Sequence, residues 1–481
     1  MSKGKILLVA QRPSDYVEMR RGADALHLCD YTIQIMYHPC EGPNSASEAL
    51  VLQDGKQAEQ DEKLERFEIF DFFHIMEKTP SKKSRDRKSR LGPRFVKYIA
   101  LIHEILGGIV NIIRYTRMCR IYEKKIKDIN PDLIILPEDV VGLVSPQIIK
   151  AAHRLGIPSL ILPYTIANQE EAFRSLSAQP AYQRTHPANW VISLLYPRWV
   201  MERDGISLVR LPGPHLLGHE FTGTTPPDPW MMNSGFANAI AVENRAMLEY
   251  YRDAGLPDSK LRLVGAVYDD YLAKYRLNKE AELANLRQEL GLAEDKPVLT
   301  IVGCPDQSSG HHPGGFEYED MADMCKHIAE ALQPLKVHYE IVVRPHPNFL
   351  KMGDLLEEAG FRKTTVDTAR LIALSDAIVA FASATIRWAI ACGVPVVNYD
   401  VFQFNYDDYK GFEGVIHANS LKEFDDALRR LVPHQEDFAL LKRKQAEICE
   451  DWGRLDGRSV ERIVGLIEEL RSEKPVSRRS A

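Results

Sequence analysis

Tyr339-Glu340-Ile341-Val342-Val343 runs directly into Arg344-Pro345-His346-Pro347-Asn348, an apolar β-branched segment broken by two prolines around a histidine. A second unit follows: Ser375-Asp376-Ala377-Ile378-Val379-Ala380, then Phe381-Ala382-Ser383-Ala384-Thr385, then Ile386 to Cys392, then Gly393-Val394-Pro395-Val396-Val397-Asn398-Tyr399-Asp400. The order is buried strand, loop, short helix, glycine stop, buried strand. Apolar runs without polar alternation suit strands covered on both faces, as in a parallel sheet. Gly393 and Pro395 stand where a helix ends and a strand begins. Ser383 reads as the N-cap of the short helix, and its hydroxyl, that of Thr385 and the free amides of the first turn make an anion site. Arg344 and His346 stand at the end of the preceding strand, the edge at which open α/β sheets bind ligands. The economical reading is a phosphate held by imidazole, guanidinium and hydroxyls. Taken singly, Arg-Pro-His-Pro is also a rigid turn and Ser-Ala-Thr an ordinary capped helix. The specific signal is their order, with the Gly-Val-Pro-Val-Val strand behind them.

At 481 residues the chain is too long for one core, and two or three domains are expected. Apolar content of 45% with 27% charged residues is that of a soluble globular protein, and a net charge of -6 gives no reason to expect nucleic acid. The 7 cysteines show no CxxC pair or metal spacing, which fits a reducing cytoplasm, and Cys392 reads as a small core residue. Ile6 to Ala10 is too short for a signal-peptide core, and no uninterrupted apolar run is long enough to span a membrane.

The first strand, Lys5 to Ala10, leads into Gln11-Arg12-Pro13 rather than the G-x-G-x-x-G of a dinucleotide site, which counts against a dehydrogenase. Tyr31 to Tyr37 alternates apolar and polar as a strand, Phe67 to Phe73 is another, and residues 41 to 66 read as polar surface. Lys82, Lys83, Arg85, Arg87, Lys88 and Arg90 form a basic run ahead of a long helix from Arg94 to Ile129. The sharper reading of the run is a patch for anionic membrane; the plainer is a solvated loop, with Ile99 to Ile113 packing the helix on the N-terminal sheet. Leu133-Ile134-Ile135-Leu136-Pro137-Glu138-Asp139 ends a buried strand in two carboxylates. A transferase acting on a hydroxyl needs a base there, and Glu138 or Asp139 fits, the plain alternative being a helix cap. After the strand Ile157 to Pro163, Thr165, Asn168 and Glu170 are candidates to hold an acceptor, with Glu170 a reserve base. Residues 174 to 236 read as an irregular inserted region, and His215, His219, His311 and His312 as surface or loop residues with no acidic partner for a metal. The second half opens with Val298 to Gly303. The loop after it, with Gly303, Gln307 and Ser308, offers backbone amides to a phosphate or sugar, or is simply flexible.

Taken together, the His346-Pro347 and Ser383/Thr385 motifs resemble those of GT-B glycosyltransferases of the bacterial HP-motif and Ser/Thr-motif group. That group includes sialyltransferase-like, Kdo-transferase-like, capsule polysaccharide and CDP-glycerol glycerophosphotransferase enzymes. Val264-Gly265-Ala266-Val267-Tyr268-Asp269 is similar to the strand-Gly-x-x-x-Asp segment of these enzymes, and Asp456 to Ile463 to their Asp-Gly-x-Ser-x-Arg-Ile tail. Glu138 to Gly142 is a loose match to their acidic motif. The resemblance is best over residues 260 to 463, and it departs from the usual adjacent Ser/Thr pair by inserting Ala384.

The resemblance implies an α/β chain of two Rossmann-like domains facing across a cleft. Residues 1–275 would bind acceptor, 276–454 the nucleotide sugar, 455–472 would cross back to the first domain, and 473–481 would be a disordered tail. Arg344, His346, Pro347, Ser383 and Thr385, with Gly303, Gln307 and Ser308, would hold the donor's phosphate, and Glu138 or Asp139 with His346 would be catalytic. No metal and no cofactor beyond the nucleotide-sugar co-substrate is expected. The acceptor would be a glycan or lipid-linked glycan of bacterial surface polysaccharide (capsule or lipopolysaccharide), handled in the cytoplasm or at the inner face of its membrane. The competing readings are a hydrolysing UDP-HexNAc 2-epimerase, a CDP-glycerol-type phosphotransferase, and a non-catalytic sugar-nucleotide-binding protein.

Overall fold

The computed structural model describes residues 2–39, 46–70, 93–165, 169–177, 179–306, 315–404 and 408–473. The chain divides into two compact units. Unit 1 is Met1–Ala241, Arg252–Arg262 and Val464–Ala481; unit 2 is Val242–Tyr251 and Leu263–Ile463.

Unit 1 alternates strand and helix: β1 (Gly4–Ala10), α1 (Pro13–His27), β2 (Tyr31–Tyr37), α2 (Ala46–Gln60), β3 (Arg66–Ile69), α3 (Pro93–Ile129), β4 (Leu133–Leu136), α4 (Ser145–Leu155) and β5 (Ser159–Ile161). Then come α5 (Gln169–Ser177), α6 (Pro187–Leu195), an antiparallel hairpin of β6 (Val200–Arg203) and β7 (Ile206–Val209), and α7 (Gly213–Thr222). β8 (Ala239–Val242) and β9 (Leu261–Leu263) complete a seven-stranded sheet ordered β3-β2-β1-β4-β5-β8-β9. Its β1–β2, β1–β4, β2–β3, β4–β5 and β5–β8 pairs are parallel. Ile6 to Ala10 and Leu133 to Leu136 are wholly buried, as strands covered by helices on both faces must be.

Unit 2 has its own six-stranded parallel sheet. After α8 (Val267–Leu277) and α9 (Lys279–Leu290) come β10 (Val298–Val302), α10 (Met321–Leu332), β11 (Glu340–Arg344), α11 (Lys351–Glu358), β12 (Arg362–Lys363), α12 (Thr368–Leu374), β13 (Ala377–Ala380), α13 (Ile386–Ala391), β14 (Val396–Tyr399) and β15 (Val415–Ala418). The order β12-β11-β10-β13-β14-β15 places β10 between β11 and β13, with Val302 in register with both Arg344 and Ala380. α14 (Leu421–Arg429), α15 (Glu436–Trp452) and α16 (Ser459–Ser472) follow. Stacked Tyr399 and Phe424 rings, 4.6 Å apart, tie α14 to the sheet, and the Tyr318–Tyr399 hydroxyl bond of 2.9 Å ties the segment before α10 to it.

Several sequence expectations are corrected. Residues 41–66 are not merely polar surface: α2 occupies most of the stretch and buries Glu48, Val51 and Ala58, with Glu48 accepting the Tyr37 hydroxyl at 2.6 Å. The irregular region 174–236 contains α6, the hairpin and α7, whose prolines sit in the first turn, where they are tolerated, while Gly218 inside α7 lets that helix pack closely on Tyr115. His215 and His219 lie on α7; His219 is core, bonded to Thr224, and His215 meets the Tyr115 hydroxyl at 3.0 Å. β2 is buried on both faces despite its alternating sequence. The long helix packs inward through Tyr115, Met118, Cys119, Tyr122 and Ile126, not through Ile109 and Ile113. Strand Phe67 to Phe73 is seen as β3, its last residues lying outside the described ones, as do the basic run, His311, His312 and all of the predicted tail after Glu473.

The last helix belongs largely to unit 1. Leu466, Ile467 and Leu470 are buried, the Tyr31 hydroxyl donates to Glu468, and Arg471 reaches Asp132 at 3.5 Å.

Candidate active site

In unit 2, the turns after β11 and β13 emerge at the same sheet edge on either side of β10. Two strand spacings separate them by about 10 Å, a span that a phosphate and its hydrogen bonds can fill. His346 caps a short 3-10 turn begun by Pro347, its Nδ1 accepting the Asn348 amide at 3.1 Å. That contact puts the proton of the neutral ring on Nε2, as a donor. Burial lowers the pKa of His346, and neighbouring Arg344 lowers it further, so the ring is neutral near pH 7. Arg344 spends Nε on the Val366 carbonyl (3.0 Å) and a terminal N–H on the Pro345 carbonyl (2.9 Å), which braces the turn.

Thr385, not Ser383, is the N-cap of the six-residue α13. Ser383 instead accepts the Thr385 amide at 3.3 Å, and the two hydroxyls lie 2.9 Å apart. The interposed Ala384 is exposed, so the interruption of the usual pair leaves the hydroxyls together. Ala382 holds the turn with φ of 47°, a left-handed conformation that costs a non-glycine residue on the order of 1 kcal/mol. Its amide is clamped by Asn398 Oδ1 at 2.8 Å. Asn398 Nδ2 is 3.5 Å from His417 Nδ1, and His417 Nε2 donates to the Tyr409 carbonyl at 2.9 Å. This buttress was missed in the sequence. An asparagine at the end of an otherwise apolar strand was the available signal.

Gly303 has a packing role. Its amide donates to the Arg344 carbonyl at 2.9 Å, and a Cβ there would meet the His346 amide nitrogen at 2.9 Å and Pro345 Cα at 3.1 Å. Both obstacles are backbone, so Gly303→Ala must push the histidine turn aside. The expected cost is about 1–3 kcal/mol of stability, read by thermal melt.

The turn after β13 is anchored through α13. Arg387 is fully buried and bonds Glu243 at 3.1 Å, each side chain 1% exposed, while its guanidinium lies over Tyr268 at 4.7 Å. Burial raises the Glu243 pKa and Arg387 opposes it; burial also pushes nearby Asp269 up to about 8. Two further motifs also meet in unit 2. Gly265 (φ 90°) has no room for a Cβ beside Ser459 Oγ, and Asp456 bonds Arg462 at 2.9 Å. A cavity of about 780 Å³ at the far end of α13 is lined by Gly265, Cys392, Gly393, Asp456 and Arg462, and by none of the phosphate-motif residues.

In unit 1 a charged cluster forms where β1, β4 and β5 end. Arg12 bonds Glu138 Oε1 at 2.5 Å and Asp15 at 2.9 Å; Tyr164 donates to Asp15 at 2.6 Å. Burial pushes the Glu138 carboxyl up to about 7, with Arg12 pulling it back. Burial works against the Arg12 charge, but Glu138 and Asp15 outweigh it and raise its pKa. Glu138 Oε2 and Arg210 Nε are buried without a hydrogen-bond partner, an unusual state for such atoms in a folded chain. Asp139 points the other way and accepts the Ser234 and Phe236 amides at 2.6 and 2.9 Å, a structural role that separates the two acids. A cavity of about 340 Å³ in this unit is lined by Gln11, His38, Arg114, Tyr115, Tyr182 and His215.

No protein-family profile and no curated protein matches the chain. Solved structures do. The UDP-GlcNAc 2-epimerase of Neisseria meningitidis, bound to UDP-GlcNAc, is 12% identical with a TM-score of 0.50, covering 97% of this chain and 100% of its own. S. aureus MnaA with UDP is 12% identical (TM-score 0.51, 97% of this chain and 96% of its own). The H548A form of the wall teichoic acid polymerase TagF is also 12% identical (TM-score 0.50, 98% and 90%). The fold is GT-B. The likeness is one of architecture, two Rossmann-like parallel sheets with their helices.

Of the predicted GT-B site residues, the structure brings Arg344, His346, Pro347, Ser383 and Thr385 to one sheet edge, with Gly303 beneath the histidine turn. Gln307, Ser308 and Asn168 lie outside the described residues. Thr165 donates to Met232 Sδ at 3.0 Å, and Glu170 is engaged by Arg174 at 2.8 Å and by Arg203. Arg12, Asp15, Tyr164 and Arg210 carried no sequence signal, because an Arg-Pro-Ser-Asp turn reads as an ordinary helix start. Among the described residues no group of three His, Cys, Asp or Glu side chains is placed to hold a metal ion.

Proposed function

We propose that the protein is a glycosyltransferase that moves a sugar from a nucleotide-activated donor to a hydroxyl of a glycan or lipid-linked glycan. The observation that carries the proposal is the pairing of His346 with the joined Ser383 and Thr385 hydroxyls at one edge of the unit 2 sheet. His346 Nε2–H and the two hydroxyls donate to the phosphate oxygens, whose charge grows as the sugar C–O bond breaks. The acceptor oxygen forms the new C–O bond and its proton passes to Glu138. UDP-linked donors are the first to test, because UDP and UDP-GlcNAc occupy the S. aureus and N. meningitidis structures. CMP- and CDP-linked donors follow.

A thermal-shift screen with CMP, CDP, UDP, GDP and dTDP identifies the base, since a ligand that binds only the folded state raises its melting temperature. With the donor known, His346→Ala is expected to lower turnover on the order of 10²-fold with an unchanged melting temperature in the absence of ligand. Normal turnover in that variant would end the assignment. The second reading, a hydrolysing 2-epimerase, draws on the likeness to the N. meningitidis UDP-GlcNAc 2-epimerase. It predicts free sugar and UDP from UDP-HexNAc alone, whereas the transferase consumes donor only with an acceptor. A CDP-glycerol-type phosphotransferase would instead carry the donor's phosphate into the product.

A further inference from the structure

α3 is apolar on two sides. Its inner side buries Tyr115, Met118, Tyr122 and Ile126 in unit 1, where α4 and α7 pack against it. Its outer side carries Leu106, Ile109, Val110 and Ile113, spaced i, i+3, i+4, i+7, each between 50% and 64% exposed. α6, which packs on both α3 and α7, exposes Trp190, Val191, Leu194 and Leu195, and α7 adds Phe221. One exposed leucine is ordinary, but nine large apolar side chains on three touching helices form a surface that water does not favour.

The outer line of α3 then changes character. Continuing at helical spacing from Ile113, it presents Arg117, Arg120, Lys124 and Lys127, all exposed. Of the acids beside them, Glu123 is engaged by Arg154 at 2.6 Å, and Asp128 lies at the helix end. The chain as a whole carries a net charge of -6, so this cationic stripe is local.

An apolar stripe continued by cations matches the boundary of an anionic bilayer, where apolar side chains enter the acyl layer and Arg and Lys meet lipid phosphates. A second copy of the chain would match the apolar part but bring its own cations against these. No helix among the described residues is long and apolar enough to cross a membrane, so the fitting arrangement lies in the interface plane. The geometry points to the outer faces of α3 and α6 as a surface that docks unit 1 on an anionic lipid bilayer. The surface stands on observations separate from the proposed reaction, and its test reads no turnover.

The test is flotation of the full chain with phosphatidylglycerol/phosphatidylcholine vesicles and with pure phosphatidylcholine vesicles. The wild type is expected to float with the anionic vesicles and to be partly released by high salt. Ile109→Gln with Ile113→Gln and Leu194→Gln should cut the floated fraction at least tenfold without lowering the melting temperature, because these side chains are already exposed. Arg117→Glu with Arg120→Glu should abolish the preference for anionic over neutral vesicles. A wild type that stays at the bottom of both gradients overturns the proposal, as does a triple-glutamine variant that floats like the wild type. A concentration-dependent dimer that the triple variant dissociates, with no flotation, overturns it in favour of self-association.

Discussion

Glu138→Gln is expected to lower turnover on the order of 10³-fold, the larger part of what a well-placed general base contributes. The substitution keeps the shape and the contact to Arg12 but removes the site to which the acceptor's proton would go. Glu138 has one oxygen on Arg12 and the other buried without a hydrogen-bond partner, so the second has an unused acceptor site. With the carboxyl pushed up to about 7 by burial, wild-type kcat/KM should fall as pH drops through about 7, and that acid limb should vanish in the glutamine variant. Stability supplies an independent reading. The folded state keeps this proton up to about pH 7, whereas the unfolded chain releases it near the ordinary value of 4.5. The folded state therefore binds more protons in that window, and wild-type stability declines as pH rises through it. Glu138→Gln should flatten that decline. A variant with wild-type turnover and an unchanged pH profile would remove Glu138 from the chemistry.

Arg387→Met should destabilise unit 2 by about 3–5 kcal/mol, because it strands Glu243 in a buried site without its cation. Urea unfolding at two pH values tests the cause. Glu243 already titrates above its ordinary value through burial, and losing Arg387 raises it further. The folded variant then holds a proton that its unfolded chain has lost, so its stability should fall more steeply with rising pH than the wild type's. The deficit is smaller at pH 5 than at pH 8. Adding Glu243→Gln should recover part of the loss, since the uncompensated charge is gone. If the single variant melts like the wild type, the pair does not anchor the Ser383 turn.

Much of unit 2 was legible because its chemistry is local. Val342, Val343, Ile378 and Val379 are β-branched and uninterrupted, and the prolines and Gly393 punctuate them, so strands, turns and helix follow from neighbouring residues alone. What was not legible depends on contacts between distant segments. Arg387 reads as a polar interruption of an apolar helix until Glu243 and Tyr268 are seen around it. Glu138 and Asp139 are adjacent in sequence, and only the amides of Ser234 and Phe236 reveal which is structural. α3 misled for the opposite reason. Its apolar residues wind around the whole helix, so periodicity alone did not say which side faces inward.

The placement of α16 bears on how the protein is made. Tyr31 and its partner Glu468 are 437 positions apart, with all of unit 2 encoded between them. During synthesis the first Rossmann-like sheet therefore waits, its groove for Leu466, Ile467 and Leu470 open, until the ribosome has finished the other one. Expressing residues 2–241 by themselves should consequently yield a sticky, chaperone-dependent fragment, and supplying a peptide of 459–473 in trans offers a way to rescue it.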